Sequence, residues 1–151
     1  MATNIEPNNG YPKIVNFKSK IEDCLKLIDK DAGNFRKWMD GYNLKIRAFK
    51  NSGANFGNGS IDIGLATFNA SKTWLASVLI HETVHFWQYR SGKYKAGKPA
   101  ELEANLYQMI VLKAIGAPQS EITHLQSQTG GHADIDGDGD YDIDDYNARN
   151  W

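Results

Sequence analysis

The fold of this chain is decided by the stretch SKTWLASVLIHETVHFWQYR, residues 71–90. Its apolar residues occur on most sides of a helix, which predicts a helix that is largely buried. Asn69 or Ser71 can cap the first turn, and Gly92 can take the left-handed conformation that ends a helix. We therefore expect this helix to lie within the core of the protein.

The segment before this helix predicts one more helix and two strands. Apolar residues at helical spacing predict a long or broken amphipathic helix over 17–39, interrupted at residues 31–33. Alternating apolar and polar residues predict strands at 44–50 and 61–65. The Gly- and Asn-rich residues 51–60 predict a turn or loop between them.

After the central helix, the sequence predicts another helix that begins near Lys98-Pro-Ala100 and runs to about residue 115. Gly116 and Pro118 would stop it. Helices around a pair of short strands indicate an α+β fold.

Composition indicates an ordinary globular protein of one main domain. The chain has 151 residues, 41% hydrophobic and 23% charged, and no apolar run approaches the ~20 residues of a membrane helix. The first eleven residues lack the apolar region of a signal peptide. Cys24 is the only cysteine, so no intrachain disulfide is expected, and its apolar neighbours predict a buried thiol.

Charge divides the chain into two parts. From residue 134 onward seven Asp accompany one Arg, a net charge of −6, so the preceding residues carry +5 of the total of −1. We expect a domain at 1–130 and an acidic unit at 131–151. The basic excess is scattered and has no nucleic-acid-binding motif, so no nucleic-acid or membrane partner is expected.

The central helix contains His81-Glu82-Thr83-Val84-His85, an H-E-x-x-H motif. Helical residues four apart lie on one face, about 5–6 Å apart at Cβ, so both imidazoles can bind one zinc ion (Zn²⁺). A catalytic zinc takes three protein ligands and keeps a position for water, which Glu82 would deprotonate as general base. The motif therefore predicts a zinc-dependent hydrolase.

Glu101 and Glu103 are the candidates for the third ligand. Residues 86–91 lack the Gly of the extended motif, whose third ligand is a histidine close behind. Both glutamates open the next helix, but they point about 200° apart, so only one can face the metal. On residue spacing alone, either could be the ligand.

The motif followed by Glu101-Leu-Glu-Ala-Asn105 resembles the gluzincin group of zinc metallopeptidases. The resemblance implies that Glu101 is the third ligand, with Asn105 or Glu103 steadying a ligating histidine. It also implies a minimal zincin fold, with a backing helix, a small sheet, the H-E-x-x-H helix and a glutamate helix. The activity it implies is endopeptidase cleavage by a metal-activated water.

Residues 75–89 are also similar to metallopeptidase toxin domains of bacterial polymorphic and RHS-type proteins. This resemblance implies a polypeptide substrate and a cognate inhibitor or immunity protein, and we expect the chain to be a monomer. In such folds an edge strand pairs with the substrate, here residues 61–65. A Tyr or His beyond the motif usually stabilises the oxyanion. The candidates by residue type are Tyr89, Tyr94, Tyr107, His124 and His132.

Residues 134–145 match an EF-hand calcium loop, with Gly139 at the sharp turn. Asp145 stands where the usual loop has Glu, as in dockerin-like calcium loops. Closely spaced carboxylates repel unless a cation neutralises them, so calcium (Ca²⁺) binding is expected, and an acidic solvated tail is the alternative. Calcium binding would suit an exported protein. The predicted ligands are Asp134, Asp136, Asp138, Asp140, Asp142 and Asp145.

Two functions are consistent with these motifs. The first is a zinc endopeptidase. The second is a non-catalytic, calcium-dependent binding or adhesion module in which the H-E-x-x-H helix is structural or vestigial. Metal analysis distinguishes them, because tightly bound zinc favours the first and calcium alone favours the second.

Overall fold

The computed structural model describes residues 3–6, 14–92 and 97–128. Within these residues, helices surround a small sheet, which is the α+β class that the order of elements predicted. The elements are β1 (Asn4–Ile5), α1 (Phe17–Asp31), α2 (Gly33–Asp40), β2 (Lys45–Ala48), β3 (Gly53–Asn55), β4 (Ser60–Ile63), α3 (Leu65–Phe68), α4 (Lys72–Arg90), α5 (Lys98–Ala114) and α6 (Gln119–Ser127).

Helix α4 is the predicted central helix and packs against α5, α1 and the sheet. Its N-terminus is capped by Ser71, whose hydroxyl accepts the Trp74 N–H at 3.1 Å. Gly92 follows its end with a φ of 74°. Leu75, Leu79 and similar side chains are fully buried, each contributing about 1.5–3 kcal/mol. In the described part of the chain, no helix is long and apolar enough to cross a membrane.

The predicted broken helix is confirmed as α1 and α2, which are separated at Ala32. Helix α1 packs against α4 and buries Phe17, Ile21 and Ile28 against the core. Cys24 lies on the same face and is fully buried. Burial raises the pKa of its thiol to about 12, so the thiol stays protonated at neutral pH.

The sheet has the strand order β1-β2-β4-β3. Strands β1, β2 and β4 are parallel, whereas β3 pairs with β4 in the antiparallel sense. Ile46 and Ile61 are fully buried in the main core. The alternate side chains Arg47 and Asp62 pair through two hydrogen bonds of 2.6 and 3.2 Å.

Two predictions about this region are wrong. Residues 51–60 contain a strand, β3, because a tight turn lets Gly53–Asn55 fold back onto β4. In that turn the Asn58 N–H bonds the Asn55 side chain at 2.9 Å, and Gly59 takes a φ of 67°. The strand predicted at 61–65 is consequently internal. The edge strands of the described sheet are β1 and β3, and β3 covers the side of β4 that was expected to be free.

Candidate metal centre

His81, His85 and Glu101 meet between α4 and α5. Nε2 of His81 lies 3.1 Å from one oxygen of the Glu101 carboxylate, and Nε2 of His85 lies 3.1 Å from the other. The two Nε2 atoms are 3.2 Å apart. All three side chains are buried, and the group can bind a metal ion.

The spacing of these atoms suits a small divalent ion. An ion in tetrahedral coordination, with bonds of ~2.0–2.1 Å, holds its ligand atoms about 3.3–3.4 Å apart. The observed separations of 3.1–3.2 Å are slightly shorter, so the ligands need to move apart by only a few tenths of an ångström. Imidazole and carboxylate ligands are also the types that zinc accepts. The residues therefore fit the predicted metal.

The charges of His81, His85 and Glu101 depend on one another. Burial alone would lower the pKa of His85, but its hydrogen bond to Glu101 and the charges of Glu101 and Glu82 raise it to about 9. Burial would raise the pKa of Glu101, but the charges and hydrogen bonds of His81 and His85 hold it well below its ordinary value. At neutral pH and without metal, His85 is thus an imidazolium with a proton on both ring nitrogens, and a binding ion displaces one of these protons.

Two glutamines contact the outer nitrogens of the histidines. Oε1 of Gln108 lies 2.8 Å from Nδ1 of His81, and Oε1 of Gln88 lies 2.9 Å from Nδ1 of His85. Both glutamines are almost fully buried. Neither glutamine was predicted as a site residue, although Gln88 follows His85 by three residues and Gln108 follows Glu101 by seven, which are same-face spacings on a helix. Such contacts orient metal ligands.

Beside the metal group lies a cavity of about 360 Å³, whose wall includes His81, Glu82, Trp74 and His124. Glu82 is 9% exposed, and among the described residues no hydrogen bond engages its carboxylate. Its position in the cavity wall, next to His81, leaves the carboxylate available to take a proton from a molecule in the cavity.

Glu103 and Asn105 were expected to steady one of the two histidines, but among the described residues no hydrogen bond joins either of them to His81 or His85. The Glu103 carboxylate accepts a hydrogen bond of 2.9 Å from Nε2 of Gln88. Asn105 is 8% exposed, and its amide has no hydrogen-bond partner among the described residues. Helix α5 turns Glu101 toward α4, while Glu103 reaches His85 only through Gln88.

The five oxyanion candidates separate by position. Tyr89 stacks on Phe56, with ring centroids 4.3 Å apart, and is 53% exposed. Tyr107 belongs to an aromatic cluster, and its ring centroid lies 5.7 Å from that of Trp38. His124 on α6 is exposed and lines the cavity that contains Glu82. Outside the described residues lie Tyr94, His132 and the predicted calcium loop at 134–145.

Comparison with known proteins supplies no relative. No protein-family model matches this chain, and no curated protein or solved structure matches it either. Because one fold can carry many functions, the function has to be argued from the site itself.

Proposed function

We propose that this protein is a zinc-dependent endopeptidase with a minimal zincin fold. The observation that carries the proposal is the convergence of His81, His85 and Glu101 within 3.1–3.2 Å of one another, beside a cavity lined by Glu82. The elements around the site also support it, since α1 backs α4, and α4 and α5 bring the ligands together.

Zinc bound by these three residues would polarise a substrate carbonyl and lower the pKa of a water molecule. Glu82 then has the role of general base: it accepts the proton from the attacking water and later delivers it to the leaving amine. The carboxylate suits this role because it lines the cavity and stays free of hydrogen bonds within the described residues. Its neighbour His81 belongs to both the metal group and the cavity wall.

A polypeptide is the substrate that the surroundings of the site favour. The outer edge of β3 has no strand partner among the described residues, so an extended chain can add to it through main-chain hydrogen bonds. Ser52 lies directly before β3 and lines the same cavity as Glu82. A peptide paired with β3 would therefore pass close to the general base.

Of the oxyanion candidates that the structure describes, His124 is the one that lines the cavity beside Glu82. It lies on α6, on the wall of the same cavity. Its ring contacts Trp74 edge-on, with centroids 5.2 Å apart, which limits how the imidazole can turn. A ring nitrogen there could donate a hydrogen bond to the oxygen of the attacked carbonyl.

The test compares wild-type protein with Glu82→Gln on a proteome-derived peptide library, with cleavage sites read by mass spectrometry. We expect about one zinc per chain in both proteins, but a 10²–10⁴-fold lower turnover in the variant, because the amide spares the ligands and removes the base. Glu22→Gln, an exposed position on α1, is the matched control and should cleave as wild type does.

Retention of more than a few per cent of wild-type turnover by Glu82→Gln would contradict the assigned base. A wild-type protein that binds calcium but no zinc, and cleaves no peptide, would favour the calcium-dependent binding module instead. His81→Ala and His85→Ala should lose zinc and activity together.

A further inference from the structure

The contacts of Gln108 determine which nitrogen of His81 carries its proton. The Ser77 hydroxyl donates its one proton to the Trp74 carbonyl, at 2.7 Å, and a carbonyl can only accept. Ser77 Oγ must therefore accept from Nε2 of Gln108, 3.0 Å away. This turns Oε1 of Gln108 toward Nδ1 of His81. Because that oxygen also only accepts, Nδ1 must donate, and the lone pair of the neutral imidazole lies on Nε2.

A second chain of contacts does the same for His85. Nε2 of Gln88 lies 3.0 Å from the Ala100 carbonyl and 2.9 Å from the Glu103 carboxylate. Both partners can only accept, so the amide nitrogen must face them, and Oε1 must face Nδ1 of His85, 2.9 Å away. Nδ1 of His85 is therefore also a donor.

We infer that Gln88 and Gln108 are a pair of positioning residues that hold both histidines with the proton on Nδ1, so that both Nε2 lone pairs point at one metal ion. The inference rests on the proposed metal function of the site. Each glutamine also links the two helices by a hydrogen bond. Gln88 on α4 bonds the Ala100 carbonyl at the start of α5, and Gln108 on α5 bonds His81 on α4. The same two amides thus orient the imidazoles and link the two helices by hydrogen bonds.

A neutral amide suits this task because it orients the histidine without adding charge. Carboxylate partners raise the basicity of a ligating histidine, whereas an amide accepts the same hydrogen bond without adding a negative charge to the site. The acceptors behind the two amides differ, however. Ser77 can turn its hydroxyl to face a new acceptor, but the Ala100 carbonyl and the Glu103 carboxylate cannot donate.

This difference gives a matched pair of variants. Gln108→Glu should bind zinc at least as tightly as wild type, because the carboxylate still accepts from His81 and Ser77 can donate to it. Gln88→Glu should bind zinc about 10–100-fold more weakly, because its carboxylate faces two acceptors. Gln88→Leu and Gln108→Leu fill similar volumes without accepting, and each should lose about 10–100-fold. Gln126→Leu on the exposed face of α6 controls for the change in side-chain type.

Zinc affinity is measured by competition with a chelator, and the histidine protons are measured by NMR on zinc-loaded, ¹⁵N-histidine-labelled protein. We expect both histidines to carry a slowly exchanging proton on Nδ1 in the wild type. Each Gln→Leu change should speed exchange at its own histidine and spare the other. If the glutamines served packing alone, the leucine variants would keep both the exchange rates and the zinc affinity of the wild type. Unchanged rates and affinities would therefore overturn the inference.

Should a variant fail to fold, the wild-type spectrum still decides, because a proton on Nε2 of either histidine would overturn the inference. Equal zinc affinities for Gln88→Glu and Gln108→Glu would overturn it as well. Zinc binding with the expected variant pattern but no peptide cleavage would instead refute only the endopeptidase proposal. Absence of zinc binding in the wild type would refute both.

Discussion

Replacing Glu101 should damage zinc binding far more than replacing Glu103, although the two residues are neighbours on the same helix. The carboxylate oxygens of Glu101 lie 3.1 Å from Nε2 of His81 and of His85. Glu103 instead accepts a hydrogen bond from Gln88, which is also held by the Ala100 carbonyl. Glu101→Ala and Glu103→Ala therefore compare a proposed ligand with a residue that is two contacts away from His85, another proposed ligand.

The size of the difference follows from the number of contacts between each residue and the metal. A four-ligand protein site binds zinc with about 10–16 kcal/mol, so one ligand contributes roughly 2.5–4 kcal/mol, or about 10²–10³-fold in affinity. Loss of a group that contacts a ligand directly costs about 10–100-fold. Glu103 acts on His85 only through Gln88, so its loss should cost less than about tenfold.

Competition with a chelator on both variants measures the two affinities side by side. Circular dichroism of each zinc-free variant checks that the helices remain, so that a loss of affinity is not a loss of fold. Equal sensitivity of the two variants would refute the assignment of Glu101. It would mean that both glutamates are dispensable or that a residue outside the described ranges, such as His132, completes the site.

Three further predictions follow from the cavity, the charges and the tail. His124→Ala should lower kcat on a cleaved library peptide by about 10²–10³-fold and leave the zinc content unchanged. An unchanged kcat would exclude His124 as the oxyanion donor. Without metal, the raised pKa of His85 stabilises the fold fully below pH 6.5, and this contribution is lost as the pH rises through about 9. The lowered pKa of Glu101 stabilises the fold above pH 4.5, and this contribution is lost as the pH falls below that value. The zinc-free melting temperature should thus be highest between pH 4.5 and 6.5, whereas one that rises toward pH 9 would contradict the pairing. Calcium should raise the melting temperature of the wild type but not that of the double variant Asp134→Ala with Asp138→Ala. Peptide hydrolysis per folded molecule should be unchanged in that variant. If calcium does not change the melting temperature of the wild type, the acidic segment is a solvated tail.

The parts of the site that depend on local spacing could be predicted from the sequence. Two histidines four residues apart share a face of any helix, and Glu82 follows within the same turn. The helix itself was predictable because its apolar residues surround it and Ser71 caps its first turn. The break between α1 and α2 was also predictable, since residues 31–33 interrupt an amphipathic pattern.

The parts that depend on pairing between distant segments could not be predicted in the same way. Strand β3 is short and contains Gly and Asn, so its local pattern is typical of a loop. It forms a strand because its backbone pairs with that of β4 through hydrogen bonds. Because of that pairing, β4 lies inside the sheet, and β3 is the edge strand on that side. The contacts of Asn105 and Glu103 could not be predicted for a related reason, because they depend on how α5 is rotated against α4.

The sequence by itself thus determined which chemical groups the site offers: two imidazoles and a neighbouring carboxylate at helical spacing, with a glutamate on the next helix. Only the tertiary structure decided that Glu101 rather than Glu103 contacts both histidines, that Gln88 and Gln108 hold their outer nitrogens, and that His124 shares a cavity with Glu82. The physical reason is that spacing along a helix is fixed by its 3.6-residue turn, whereas the approach of α5 and α6 to α4 depends on the packing of the whole core.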